Sequence, residues 1–133
     1  PKKPRTKVEK TLPKTSQILV VEDIIINQKI ILKQLERLGY KADCVGNGQE
    51  ALDILSNQQY NVILMDCQMP ILDGYETTEI LRKLEGENRH IIIGLTAYAM
   101  EGDRGKCLAA GMDDYLTKPL NINDLSNMLK KWL

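Results

Sequence analysis

Five polar residues stand at the ends of short apolar runs. Glu22 and Asp23 follow QILVV (17–21), Asp66 follows NVILM (61–65), Thr96 follows HIIIGL (90–95) and Lys118 follows DYLT (114–117). Three carboxylates, a hydroxyl and an ammonium make a coherent chemical set if the chain brings them together. Two unit charges about 4 Å apart repel by about 4 kcal/mol at an effective dielectric of about 20, so three acids in one crevice call for a cation. Carboxylates without histidine or thiolate ligands suit a hard divalent ion, Mg²⁺ or Mn²⁺, which keeps several of its waters. A metal beside a carboxylate, with a lysine opposite, describes a seat for a phosphoryl group. Metal and ammonium neutralise its oxygens while a carboxylate attacks phosphorus. Asp66, behind the central apolar run, is the best nucleophile candidate.

Convergence of these residues depends on the elements that carry them. QILVV, NVILM and HIIIGL are short, rich in β-branched residues and uninterrupted, as strands covered on both faces should be. YKADCV (40–45) reads as a weaker strand and DYLT as a short fifth one. Helical periods fill the gaps. Ile24, Ile31, Leu35 and Leu38 fall on one face of a first helix that Gly39 ends. Asn47 and Glu50 stand at capping-box spacing ahead of a second helix, and Asp73-Gly74 signals a turn into a third. A fourth helix spans roughly 101–110 and stops at Gly111. The fifth runs over about 121–132, with Asn121 and Asp124 again at capping-box spacing and Leu125, Met128, Leu129 and Trp132 on its inner face.

Five strands alternating with five helices through short loops predict an α/β fold, a five-stranded parallel sheet with helices on both faces. Right-handed crossovers put the segments after every strand at one edge, where such sheets bind ligands. All five polar residues occupy that position.

Composition sets the class. The 133 residues suffice for one domain with a full core, and 43% apolar with 27% charged residues is ordinary for a globular protein. No apolar run approaches the roughly 18 residues of a membrane-spanning helix, and no leader pattern opens the chain. The net charge of zero hides an asymmetry: residues 1–16 carry six basic side chains against Glu9 alone, and the remainder 12 basic and 17 acidic. With prolines at 1, 4 and 13 and no aromatic residue, this head reads as a solvated flexible linker rather than a nucleic-acid contact. Pro1 in place of Met points to a piece of a longer chain. Cys44, Cys67 and Cys107 are odd in number and far apart, which argues against disulfides or a zinc site and for a reducing compartment. His90 is the only histidine, which disfavours a Ser-His-Asp arrangement and suits a polar residue at a strand entrance.

With these residues in view, the sequence resembles the receiver domains of two-component response regulators, most closely those of hybrid sensor histidine kinases. The likeness covers about residues 17–133 and rests on VVED (20–23), NGQEAL (47–52), LMDCQMPILDG (64–74), LTAYA (95–99) and GMDDYLTKPL (111–120). It implies a flavodoxin-like (βα)5 fold in which Asp66 accepts a phosphoryl group from a phosphohistidine. By position, Asp23 and Asp66 would ligate Mg²⁺, Glu22 would act through water, and the backbone carbonyl of Gln68 would complete the protein ligands. Thr96 would hydrogen-bond the phosphoryl oxygens, Lys118 would pair with their charge, and Tyr115 would turn inward as Thr96 moves. Pro119 matches a cis-proline. Gln68 and Tyr98 flank the path of the water that ends the phosphoaspartate's life. Ala97, beside Thr96, is small, as access for a donor histidine requires.

The resemblance implies a cytoplasmic phosphorelay module that carries out its own phosphorylation and dephosphorylation and whose parent is a histidine kinase, membrane-anchored or not. Its partners would be a histidine kinase or a histidine phosphotransfer protein, with no nucleic acid and no membrane contact from this chain. The surface over about 101–130 would report the phosphorylation state. One departure stands out: where many such receivers place a polar residue after the acidic pair, this chain has Ile24, which either begins the inner face of the first helix or covers the rim of the metal site, on the surface where phosphotransfer partners of such receivers dock. A stand-alone single-domain regulator and an unphosphorylated interaction module are alternatives. An aspartyl-nucleophile phosphatase is disfavoured because it needs a second acid two residues after the nucleophile, and Gln68 cannot shuttle that proton.

Overall fold

A computed structural model describes residues 17–86, 89–97 and 101–133, the backbone alone at 101–103. The predicted basic linker and Tyr98 lie outside the described residues. Ten elements alternate along the chain: β1 (Ile18–Val21), α1 (Ile25–Arg37), β2 (Ala42–Val45), α2 (Gly48–Leu55), β3 (Val62–Asp66), α3 (Gly74–Leu84), β4 (Ile91–Thr96), α4 (Glu101–Ala110), β5 (Asp114–Thr117) and α5 (Ile122–Trp132). All strand pairs are parallel, in the order β2-β1-β3-β4-β5. The predicted α/β architecture is therefore the observed one.

The uninterrupted apolar strands follow from burial on both sheet faces. Leu19, Val21, Ile63 and Met65 point into one core with Ala51, Leu81 and Cys107 of α2, α3 and α4. Ile18, Val20, Val62 and Leu64 point into the other with Ile31, Leu35, Leu125 and Leu129 of α1 and α5. Each of these strand residues is fully buried, a gain of about 1.5–3 kcal/mol for every large aliphatic side chain. The weaker β2 run sits at the sheet edge, half-buried throughout.

Helix starts depart from expectation in detail. Asn47 caps α2 by accepting from the Glu50 N–H (2.8 Å), but Glu50 reaches back to the Gly46 N–H rather than to Asn47. Asn121 accepts from the N–H groups of both Asn123 and Asp124, half of the expected box. The complete capping box is at α3, where Asp73 and Glu76 exchange hydrogen bonds. Ile24 is not on the inner face of α1. It is the extended N-cap residue of that helix, 50% exposed, because the Glu22 carboxylate takes its N–H and delays the first turn.

His90 sits at the entrance to β4, as its position suggests. Its ring meets Glu85 at 3.0 Å, and Glu85 also takes the His90 N–H. Arg82 of α3 binds this region together, donating to the carbonyls of Gly111 and His90 and to the carboxylates of Glu85 and Asp113.

Candidate functional site

Strand order reverses between β1 and β3: the chain leaves β1 for β2 on one side, then crosses back to β3 on the other. A crevice opens at such a point beyond the strands' carboxyl ends. Glu22 and Asp23 follow β1 there, and Asp66 is the last residue of β3. One carboxylate oxygen from each of the three lies within 4.8 Å of the others. Lys118, one residue past β5, sends its Nζ to Glu22 Oε1 (3.1 Å) and Asp66 Oδ1 (3.0 Å). Thr96 ends β4, and its carbonyl accepts from the Lys118 N–H at 2.7 Å. The fold thus gathers all five residues, with Glu22, Asp66 and Thr96 almost wholly buried.

Burial and charge set the protonation of this cluster. Burial pushes the Asp66 carboxyl up to about 6; hydrogen bonds from Lys118 and the Gln68 N–H pull against that, and the neighbouring Glu22 charge adds to it. Burial also works against the Glu22 carboxylate, but the Ile24 N–H and Lys118 outweigh it and hold the group below its ordinary value. For Lys118 burial is again overcome, here by the two carboxylates, which raise its pKa. One ammonium faces three acids, a set that still favours a further cation.

The residues fit a hard divalent ion. Asp23 Oδ1 is a buried carboxylate oxygen without a hydrogen-bond partner, a costly state that a bound cation would relieve. The donors are all oxygens, as Mg²⁺ requires.

Gln68 lies two residues past Asp66, its side chain exposed and its N–H on Asp66 Oδ1 at 3.2 Å. Tyr115, on β5 opposite Gly94, is half-buried against the α2–α4 core. The Lys118–Pro119 bond is cis.

Three residues were missed by sequence reasoning. Gln28 of α1 donates its side-chain amide to the Glu22 carbonyl at 2.7 Å, steadying the strand end that aims the acids. Its spacing of six from Glu22 carries no recognisable signal. Gly74 packs against the backbone of Asp66 and Cys67, so a Cβ there would lie 2.9 Å from the Asp66 carbonyl carbon and from Cys67 Cα. The Asp-Gly pair marked a turn but not this contact. Ile71 has φ +72°, with the Leu72 N–H closing on the Pro70 carbonyl at 2.8 Å. That is a γ-turn of the rare strained form, an outlier for a β-branched residue.

Sheet order and acidic crevice together define the class: a doubly wound parallel α/β domain with its ligand seat at the switch point. The chain belongs to the response regulator receiver domain family, whose model matches residues 18–130. It is 42% identical to hybrid signal transduction histidine kinase B of Dictyostelium discoideum over 96% of this chain, and spans 7% of that kinase. Among solved structures, it resembles the receiver domain of sensor histidine kinase PA1611 from Pseudomonas aeruginosa, which has magnesium coordinated in its active site cleft. Identity there is 44%, covering 90% of this chain and 98% of that one, with a TM-score of 0.81. It also resembles the receiver domain of the Saccharomyces cerevisiae response regulator Ssk1, solved with the histidine phosphotransfer protein Ypd1. That match is 36% identical over 89% of this chain and 88% of the other, with a TM-score of 0.81. Among the described residues, no helix is long and apolar enough to cross a membrane.

Proposed function

We propose that this receiver domain takes a phosphoryl group from a phosphohistidine onto Asp66 and serves a hybrid-kinase phosphorelay in the cytoplasm. The observation that carries the reading is the reach of Lys118 to both Asp66 and Glu22 while Asp23 keeps an unpartnered buried oxygen. A carboxylate oxygen of Asp66 attacks phosphorus, the P–N bond breaks, and the imidazole leaves. Lys118 holds the acceptor oriented and offsets charge on the incoming group. Asp23, Asp66 and the Gln68 carbonyl would hold Mg²⁺, with Glu22 acting through water. When bound, the ion supplies charge neutralisation at the phosphoryl oxygens.

Thr96 and Lys118 then answer the added charge, and Tyr115 follows Thr96, biasing a two-state equilibrium over about 101–130. Gln68 and Tyr98 tune hydrolysis of the phosphoaspartate. Relay to a histidine phosphotransfer protein and control of a parent kinase are both compatible outputs, and residues 1–16 serve as the linker to the rest of such a kinase.

The test is incubation with Mg²⁺ and acetyl phosphate followed by intact mass measurement, beside Asp66→Asn. One phosphoryl group gained by the parent chain alone is the expected result. Equal gain in the variant, or none in either, overturns the reading.

A further inference from the structure

Three sulfur atoms converge on the middle of β4, and from them we propose a soft-metal site, for Cu(I), held by Cys67, Cys107 and Met112. It stands apart from the phosphoacceptor reading and shares no ligand with the carboxylate cluster. Cys67 follows β3, Cys107 lies on α4, and Met112 stands between α4 and β5. The two cysteine Sγ atoms are 3.9 Å apart. Gly94 marks where all three meet: a Cβ there would lie 2.6 Å from Met112 Sδ, 3.1 Å from Cys67 Sγ and 3.3 Å from Cys107 Sγ. β4 thus forgoes a side chain between the fully buried Ile93 and Leu95. A glycine inside a strand weakens it and marks a close approach by another group.

Donor chemistry selects the ion. An ion about 2.3 Å from both cysteines, an ordinary metal–thiolate length, subtends them at about 115° when they stand 3.9 Å apart. That angle lies between the tetrahedral and the trigonal, so the pair is already spaced to share an ion. Among the described residues, no histidine or carboxylate completes a ligand group with the pair, whereas structural Zn²⁺ takes four such ligands. Two thiolates and a thioether are all soft donors, which suit Cu(I). Cys67 and Cys107 are fully buried and Met112 nearly so, which denies a harder ion the waters it keeps. Each ligating cysteine gives its thiol proton to solvent, and the metal enters and stays as Cu(I). Entry runs through α4. Of its described side chains only Cys107 and Ala110 are buried, and Gly102 and Gly105 weaken the helix, so it opens locally before the sheet does. The bound ion ties α4 to the residue after Asp66.

The reduced chain is titrated anaerobically with Cu(I) supplied as its bathocuproine disulfonate complex, and bound copper is read by native mass and X-ray absorption. One copper per chain is expected, with sulfur neighbours alone at about 2.3 Å. The melting temperature should rise by about 10 °C once free copper is about 100 times its dissociation constant. Cys67→Ala and Cys107→Ala should each weaken retention by about 100-fold or more. Met112→Leu, which keeps the core volume, should weaken it about fivefold or more while the copper-free chain melts within about 5 °C of the parent. Cys44→Ser should bind like the parent. No copper on the parent, copper held equally well by the cysteine variants, or copper lost with Cys44→Ser overturns the site. So does a copper-free chain two hydrogens lighter, in which the pair has closed to a disulfide instead. If a cysteine variant fails to fold, Met112→Leu decides, and undiminished retention there overturns the three-sulfur site.

Discussion

Replacing Gly74 by alanine tests whether the Asp66 backbone is as tightly held as the packing requires. The added methyl would sit 2.9 Å from both the Asp66 carbonyl carbon and Cys67 Cα, and closer still to the Asp66 carbonyl oxygen. These are backbone atoms of β3 and its first loop residue, pinned by the bond from the Cys67 N–H to the Leu95 carbonyl and by the Gly74 N–H on the Cys67 carbonyl. No flexible side chain can yield. Overpacking of this kind costs about 1–3 kcal/mol, occasionally more. The opposing helix-propensity gain of alanine over glycine is at most about 1 kcal/mol, and smaller here because Gly74 is the first residue of α3.

Strain therefore wins, by about 2 kcal/mol, or roughly 6–10 °C in melting temperature for a domain of this size. Urea unfolding, which leaves the m-value unchanged if only stability moves, measures it. Because the displaced atoms belong to Asp66, labelling by acetyl phosphate with Mg²⁺ should slow as well, even well below the new melting point. A variant as stable as the parent, or more stable, would refute the reasoning. Lost stability with unchanged labelling would show that Asp66 is not aimed through this contact.

Arg82→Met should cost about 3–5 kcal/mol, because it leaves the buried carboxylates of Glu85 and Asp113 without their shared guanidinium. Arg82→Lys should recover less than half by urea unfolding, since one ammonium cannot serve four acceptors on three segments. Burial raises the Glu85 carboxyl, but the His90 N–H and Arg82 outweigh it and depress it below 4.5. Its contribution is thus complete above about pH 4.5 and lost as pH falls through the lower folded value. Unfolding midpoints should drop across that acid range, and less steeply in Glu85→Gln. Lys118→Met should destabilise the metal-free chain by about 3–5 kcal/mol, since Glu22 and Asp66 lose their ion-pair partner. Added Mg²⁺ should then raise its melting temperature more than the parent's, and an equal rise would argue against a shared anionic seat.

The sheet was legible because burial on both faces leaves a mark that survives in one dimension: QILVV, NVILM and HIIIGL can be little else. The site was legible because the topology turns the ends of those runs into neighbours, so the residue after each run already names a wall of the crevice. What stayed hidden depends on distances between segments. Nothing in the spacing says that Gln28 clamps the Glu22 carbonyl, or that Arg82 reaches Gly111 and Asp113. Ile24 shows the limit most clearly. Read by helical period, it belongs inside with Ile31 and Leu35. In the structure the Glu22 carboxylate takes the Ile24 N–H and holds it as an extended cap, so the side chain turns outward. The acid that shapes the crevice thus also turns the residue after it out of the core, an effect of one side chain on one backbone N–H that no hydrophobic period records.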